Sequence, residues 1–508
     1  MDYSYPLYCS CRRNGDRVAL VGRDEGPVTY AELERRIAGL TAGLGELVAP
    51  GAAVLALTEN EPETFELLMA LARIGAVAVP VNTRLGAAER RFIAADAGVV
   101  AIVAADAWLA AARETAAALD AVATVIAVGG DGGPEPTLAR LREAAPGPPP
   151  GDLDGDEGAP ATILYTSGTT GFPKGVVRSH RANAWNAVNS ALGSPRSPAD
   201  VELFNLPAFG IGFLHFAMAA LLGGATVVLD RSFDPARCWE LLERHRATRT
   251  FLAPTMIDSM LAVEGHRDRD LSALEVIYTA YAFPDRLRRA ALDRFGEVFV
   301  YMYGLTEAQL TCATREEFAT SPTSVGRSMG VSVVEVLDAA GAPAAPGEVG
   351  EIAFAGPAVM SGYHGRPEET GQALAAGRVR TGDLGRFDAA GNLHYVGRSK
   401  EMIKTGGFSV DPLEVENAIL EQDGIAEVAV LGVEDEHWGE AVVAFVVPVA
   451  GTSVEEATVI AACKGAIASY KVPKRVHLAE RLPKNPAGKV ERGRLRDLAR
   501  EQAVESDS

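Results

Sequence analysis

Short apolar runs alternate with helix-periodic segments through the first half of the chain, and this alternation narrows the fold more than anything else. Ala53–Thr58 is a strand-like apolar run, Glu63–Ile74 is helix-periodic, and Ala76–Pro80 is apolar again. Strand, helix, strand in that order predicts a largely parallel sheet covered by helices. Thr29–Leu44 repeats apolar residues at helical spacing, with Thr29 and Glu32 placed as a capping box. Val99–Val128 is alanine-rich but carries Asp106, Arg113, Glu114 and Asp120, so it reads as packed helices and a strand and not as a membrane span. Residues 129–160 are rich in Gly, Pro and Asp and read as an irregular connection with a short helix near Leu138–Glu143. Further buried strands are expected at Ala225–Asp230, Thr250–Ala253, Glu275–Thr279 and Glu297–Tyr301.

The texture changes after Ser324. VSVVEVLD, GEIAFAG and GNLHYVGR are short strands broken by Gly and Pro, as in a small antiparallel sheet or barrel. Beyond Arg398 a compact α+β pattern begins. Asp411 is placed to cap a helix with Pro412 in its first turn and Glu414 three residues on, followed by strands at Glu427–Val433 and Ala441–Val447 and a helix over Val454–Tyr470. A chain of 508 residues exceeds one core. The expected division is residues 1–398, a large domain of two helix-covered sheets plus a small β-barrel-like subdomain, and residues 399–508, a small mobile α+β domain.

The segment Tyr165–Gly175, YTSGTTGFPKG, follows a strand-like run and packs hydroxyls, glycines and Lys174 together. Backbone amides and hydroxyls at that density suit a polyphosphate, with Lys174 as a point charge. It is not the common phosphate loop, which needs Gly-Lys-Ser/Thr opening a helix; here Gly175 follows Lys174. A net charge of −19 argues against nucleic acid, since a phosphate backbone needs a basic surface. It leaves room for a small polyanion. Five scattered cysteines (Cys9, Cys11, Cys238, Cys312, Cys463) and the lack of a leader pattern in the first residues suggest reduced thiols and a cytoplasmic protein.

Four more segments accompany the loop: MYGLTEAQ (Met302–Gln309), RTGDLGRFDAAGNLHYVGR (Arg380–Arg398), SKEMIKTGGFSVDPLEVE (Ser399–Glu416) and LPKNPAGKVERGRLR (Leu482–Arg496). In order and spacing the five resemble the adenylate-forming superfamily, in its acyl-CoA synthetase branch of AMP-dependent ligases. The resemblance implies an ATP- and Mg²⁺-dependent acid–thiol ligase that forms an acyl-adenylate and passes it to CoA. It implies that Thr166, Ser167, Gly168, Thr169, Thr170, Gly171 and Lys174 hold the β- and γ-phosphates, and that Thr306 contacts the α-phosphate. Glu307 becomes a Mg²⁺ ligand, as hard oxygen donors suit that ion. Tyr303, Asp383 and Arg398 lie at the nucleoside, and Lys489 reaches the substrate carboxylate. For the second half-reaction the resemblance makes Lys400 the hinge, Lys404 with Gly406 and Gly407 enters the site after rotation, and Trp438 matches a position that touches CoA in some acyl-CoA ligases.

Two departures bear on the substrate. Acyl-CoA ligases place a histidine after Pro-x-Phe; this chain reads Leu206-Pro-Ala-Phe209-Gly210. No aspartate lies between Asn205 and Phe216 to pair with an α-ammonium group, which argues against an amino acid. Where the family has Ser-Gly-Gly-Ala-Pro, this chain has Thr279-Ala280-Tyr281-Ala282-Phe283. Tyr281 and Phe283 are bulkier than the residues they replace; with Phe209 and Gly210, Thr279, Ala280 and Tyr281 are the expected pocket, and an inward Tyr281 narrows it and offers a phenol. The expected substrate is a small or aromatic polar carboxylic acid. The alternative acceptors are a carrier-protein pantetheine or a nitrogen nucleophile. A luciferase-like oxygenase would share every motif, whereas a non-catalytic nucleotide-binding scaffold predicts damaged positions, and all are present. A homodimer is compatible with the chain.

Overall fold

The structure, a computed structural model, describes residues 2–23, 26–130, 133–146, 156–166, 173–281, 283–321, 323–435, 437–484 and 490–506. A seven-stranded sheet has the order Gly362–Tyr363, Lys174–Ser179, Pro160–Thr166, Val77–Pro80, Ala53–Leu57, Val99–Ala104 and Thr124–Ala127. Ala53–Leu57 pairs in parallel with Val77–Pro80 and with Val99–Ala104 and is buried along its whole length. Burial on both faces is why that run reads as continuously apolar. The alanine-rich region resolves into two strands flanking one α-helix, Leu109–Ala117.

Local signals explain the helix ends. Pro62–Ile74 has proline in its first turn and stops at Gly75, whose φ of 78° is the left-handed conformation glycine tolerates. Tyr30–Gly45 is capped by Thr29, which accepts from the Glu32 amide at 3.2 Å. The reciprocal half of the expected capping box is not formed. The Glu32 carboxylate instead takes Arg35 and Arg36, two charged partners that outcompete a single backbone amide.

The irregular connection is docked against this helix. Its short helix Leu138–Leu141 lies so close that a Cβ on Gly39 would stand 2.2 Å from the Arg142 carbonyl oxygen. One on Gly43 would stand 2.3 Å from that of Leu141.

A second, longer sheet has Val28–Thr29 antiparallel to Val18–Val21 at its edge and continues from Val18–Val21 as parallel pairs through Thr226–Leu229, Val201–Phe204, Arg249–Phe251, Val276–Thr279 and Phe299–Gly304. From there it turns antiparallel through Leu310–Cys312, Ser324–Ser328, Leu393–Arg398, Arg378–Phe387, Gly350–Ala355 and Val333–Leu337. The antiparallel strands expected as a barrel-like subdomain are thus hydrogen-bonded in continuity with the parallel ones. Arg378–Phe387 is poorly marked in sequence, because Arg, Thr, Gly and Asp dilute its β-propensity.

After Arg398 the strands belong to a separate five-stranded sheet: Phe408–Val410, Ile403–Thr405, Gly439–Pro448 and Ile425–Asp435, with Arg475–Leu478 parallel to Gly439–Pro448. Helices Pro412–Leu420, Glu456–Ala466 and Arg492–Ser506 accompany it. Asp411 caps the first, accepting from the Leu413 amide at 3.1 Å. The helix expected to run to Tyr470 ends at Ala466, where Ile467 turns extended. Glu421 accepts from the Arg286 amide at 2.6 Å and from Arg289 Nη2 at 2.8 Å, tying this unit to the helix Asp285–Phe295. No described helix is long and apolar enough to cross a membrane.

The close approach at Gly43 is directly testable. Gly43→Ala should destabilise the large domain by about 1–3 kcal/mol, read as a lower midpoint in urea unfolding. An unchanged midpoint would show that the 138–142 segment does not pack there.

Candidate active site

The phosphate-loop segment closes a β-hairpin. Pro160–Thr166 and Lys174–Ser179 pair antiparallel, with Thr166 opposite Lys174 and Tyr165 opposite Gly175. This departs from a strand-to-helix phosphate loop. Gly175 is required by crowding: a Cβ there would lie 2.7 Å from Ile163 Cγ2 and 3.0 Å from the Tyr165 ring. Ser167, Gly168, Thr169, Thr170 and Gly171 lie outside the described residues, as does Lys489. Lys174 Nζ stands 3.8 Å from Glu369 Oε1 and 5.6 Å from the centre of the Tyr363 ring.

Thr306 and Glu307 sit in the turn between Phe299–Gly304 and Leu310–Cys312, closed by the Gly304–Leu310 pair. The turn is tight enough that a Cβ on Gly304 would approach the Gln309 carbonyl oxygen to 2.5 Å. Three groups brace it. Arg178 Nη1 donates to the Thr306 carbonyl at 2.7 Å, the Met360 amide to the Glu307 carbonyl at 2.8 Å, and the Tyr363 hydroxyl to Glu307 Oε1 at 2.9 Å. Burial, then the Glu307 charge, pushes the Tyr363 phenol above its usual range, so it remains a donor. Tyr363 therefore joins Lys174 and Glu307, with Lys174 over its ring and Glu307 at its hydroxyl.

Asp383 and Arg398 face each other across adjacent strands. Fifteen residues apart in sequence, they form an ion pair at 3.0 Å, while the Tyr303 hydroxyl donates to the other Asp383 oxygen at 2.7 Å. Asp383 is only 2% exposed and Arg398 is 45% exposed. Burial raises the Asp383 carboxyl above its ordinary value, and the Arg398 charge opposes that. A buried carboxylate is held here with its partners already in place.

The acyl-side residues are less tightly organised. Gly210 closes a turn on the Pro207 carbonyl, and a Cβ at Gly210 would meet nothing nearer than 3.6 Å, so a side chain would fit. His215 does not replace the missing imidazole. It lies in a π-helical turn, Phe213–Met218, buried, with Nδ1 3.2 Å from Ser190 Oγ, and burial together with Arg178 and Arg196 pushes it down to about 3.

Tyr281 takes a left-handed φ of 74°, its carbonyl accepting from the Tyr301 hydroxyl. Its side chain is 67% exposed and does not close a pocket in this arrangement. Phe283, bulkier than the family's residue there, packs edge-on against Phe299 and Phe318. Thr279 is wholly buried at the end of its strand, with Phe209 and Ala280 half-buried nearby in the chain.

The small-domain residues form their own cluster. Ile403–Thr405 and Phe408–Val410 make a hairpin whose two turn residues, Gly406 and Gly407, have φ of 56° and 82°. Both glycines are demanded by that turn. Trp438 lies against Gly406, with Lys474 Nζ 4.5 Å from its ring centre. Lys404 is exposed and donates to Ser409 at 2.6 Å; Lys400 is exposed in the turn between the two domains' strands. These contacts stay within the small domain and do not bring Lys404 or Trp438 to Glu307 or Asp383.

Reading the sequence missed Arg178, Tyr363 and Glu369. Arg178 had a signal: a charged residue on the same strand face as Lys174 and the buried Val176.

The Asp383 trio yields a pH-dependent expectation. In Arg398→Met the buried carboxyl loses its counter-charge and rises further above its unfolded value of about 3.9. Stability tied to a raised pKa is present at low pH and is lost as pH climbs. Urea unfolding of the variant should show a decline from pH 4 towards neutrality steeper than in wild type, and Asp383→Asn added to it should remove the slope. Parallel profiles would count against the ion pair.

The family profile described as AMP-binding enzyme matches residues 8–364, and that of the AMP-binding enzyme C-terminal domain matches residues 414–489. The chain is 37% identical over 484 residues to the indoleacetate–CoA ligase of Aromatoleum aromaticum, covering 93% of this chain and 94% of that one. It is 36% identical over 474 residues to the feruloyl-CoA synthase of an Amycolatopsis species, covering 92% and 93%. The amide bond synthetase McbA of Marinactinospora thermotolerans superposes with a TM-score of 0.86 at 30% identity, over 97% of this chain and all of that one. The chain belongs to the AMP-binding enzyme family, in the acyl-CoA synthetase branch of the adenylate-forming superfamily.

Proposed function

We propose that this AMP-binding enzyme activates a small or aromatic polar carboxylic acid with ATP and transfers the acyl group to CoA. The observation that carries the reading is the convergence of Lys174, the Thr306–Glu307 turn and the Tyr303–Asp383–Arg398 trio in one large domain. Two relatives acting on feruloyl and indoleacetate groups support an aryl acid.

In the first half-reaction a carboxylate oxygen attacks the α-phosphorus, forming the acyl–phosphate bond as the bond to the β-phosphate oxygen breaks and pyrophosphate leaves. Such a step depends on positioning and charge neutralisation. Residues 166–174, with Lys174, hold the β- and γ-phosphates, and the Thr306 hydroxyl contacts the α-phosphate. Asp383 accepts from the ribose hydroxyls, with Tyr303 and Arg398 fixing its two oxygens. Glu307 presents a partly exposed hard oxygen beside Thr306, which fits Mg²⁺, an ion held by one or two carboxylates plus substrate phosphates. Such an ion supplies neutralisation of the phosphate charge. Lys489 donates to the carboxylate and α-phosphate as charge builds.

In the second half-reaction the small domain turns at Lys400 and brings Lys404, Gly406, Gly407 and Trp438 to the adenylate. A thiol sulfur then attacks the acyl carbon and AMP departs. Turning is needed because the hairpin carrying Lys404 makes its contacts within the small domain. A nitrogen acceptor is the second reading. It is favoured by Gly210, which leaves space where an imidazole stands in acyl-CoA ligases, and by the likeness to an amide bond synthetase.

A pyrophosphate-release screen over aryl, short, branched and fatty acids, run with CoA, with an amine and with neither, tests both readings. CoA-dependent acceleration with an aryl acid is expected. Turnover of palmitate with none of the short or aryl acids would refute the substrate class, and acceleration by the amine alone would select the second reading.

Lys489→Ala should lower acid-dependent ATP–pyrophosphate exchange on the order of 100-fold or more while sparing thiolysis of supplied acyl-adenylate. Lys404→Ala should do the reverse. Full activity of both variants in both assays would overturn the assignment.

A further inference from the structure

Arg178 braces the Thr306–Glu307 turn but has no part in either half-reaction as assigned above, although it is a fully buried and fully engaged charge beside the site. It is 0% exposed on the strand Lys174–Ser179. It makes four hydrogen bonds: Nε to Asn183 Oδ1 at 3.0 Å, Nη1 to the Thr306 carbonyl at 2.7 Å, and Nη2 to the carbonyls of Ala358 at 2.9 Å and Ala182 at 3.2 Å. All four acceptors are neutral.

Burying a guanidinium is costly unless a carboxylate compensates it. No acidic side chain pairs directly with Arg178 among the described residues, and the Glu307 carboxylate is the acidic group whose field reaches it. Burial lowers Arg178 to about 10 and the Glu307 charge opposes this, so the guanidinium stays cationic at neutral pH. A purely structural tie between neutral carbonyls would be met at lower cost by an amide side chain.

Placement supplies the reason for a cation. Arg178, Val176 and Lys174 alternate onto one face of the strand, so Arg178 lies about 13 Å along it from the loop-end lysine. The planar fork spans two loops that both end at the site. The Thr306 carbonyl belongs to the turn bearing Glu307, and Ala358 leads to Met360, whose amide holds the Glu307 carbonyl. A few residues further on, Tyr363 bonds the Glu307 carboxylate. A planar fork fixes two acceptors at a set angle, which a lysine cannot do.

We infer that Arg178 is the positioning residue for adenylation, tying the Thr306–Glu307 turn to the strand Lys174–Ser179 and keeping a buried positive charge beside that turn. This rests on the adenylation reading above. It touches neither substrate nor reacting atoms, so it acts through Thr306 and Glu307 and through its field, which is strong where protein excludes water.

The test compares full-length Arg178→Met and Arg178→Lys with wild type in calorimetric binding of MgATP, which needs no acid, in acid-dependent ATP–pyrophosphate exchange, and in thiolysis of supplied acyl-adenylate. In Arg178→Met exchange should fall about 100-fold, the cost of a misplaced group about 1 Å out of position. MgATP should bind roughly tenfold more weakly, which converts to about 1.4 kcal/mol. Thiolysis should change by less than about threefold. Arg178→Lys keeps the charge and loses the fork, so it should bind MgATP near wild type yet remain about tenfold slow in exchange.

If Arg178→Met does not fold, that dissociation in Arg178→Lys decides alone. Equal loss in both half-reactions alongside a lowered melting midpoint would make the role structural and overturn the inference, as would wild-type exchange and binding in Arg178→Lys together with Arg178→Met. Wild type that binds MgATP but exchanges with no acid would refute the carboxylate reading, and calorimetry of the two variants would still judge Arg178.

Discussion

The long sheet changes from parallel to antiparallel at one short turn, and the site depends on that change. Phe299–Gly304 is the last parallel strand, and Leu310–Cys312 returns against it. Strands joined by so short a turn can only be antiparallel. The turn therefore projects from the carboxyl end of the parallel array, where the loops of such sheets gather ligands. Gly304 makes it possible, since any larger residue would run into the Gln309 backbone. The antiparallel strands beyond it then set Asp383 against Arg398 by register alone.

Charge is distributed against the overall composition. The chain carries a net charge of −19, yet Lys174, Arg178 and Arg398 stand close to the proposed phosphate and ribose positions. A polyanion site needs local charge only, and a desolvated cation contributes more than an exposed one. Carboxylates enter where they are held: Asp383 between a phenol and a guanidinium, Glu307 under a tyrosine hydroxyl. Each is oriented before anything binds, which is the form of preorganisation an adenylating site uses.

Much of the element pattern was readable because burial leaves a periodic trace. Strands buried on both faces, such as Ala53–Leu57, read as unbroken apolar runs, and the periodic run Glu63–Ile74 gave the helix that the structure bounds at Pro62 and Gly75. What escaped was decided by competition between partners. Glu32 abandoned its cap for two arginines, and the Phe283 ring found two aromatic neighbours. Arg378–Phe387 was hidden by polar residues that a cross-strand ion pair tolerates. None of these outcomes has a local signature.

The order of five motifs along the chain determined the family and the chemistry to expect, because catalytic residue types and their spacing are properties of sequence. The tertiary structure decided which side chains brace them. Arg178, Tyr363 and Glu369 lie far along the chain from their partners, and they reach Thr306, Glu307 and Lys174 respectively only after a hairpin, a turn and a sheet edge have been brought together. A hydrogen bond over a long sequence separation depends on distance and angle in space, and no periodicity in the chain encodes either.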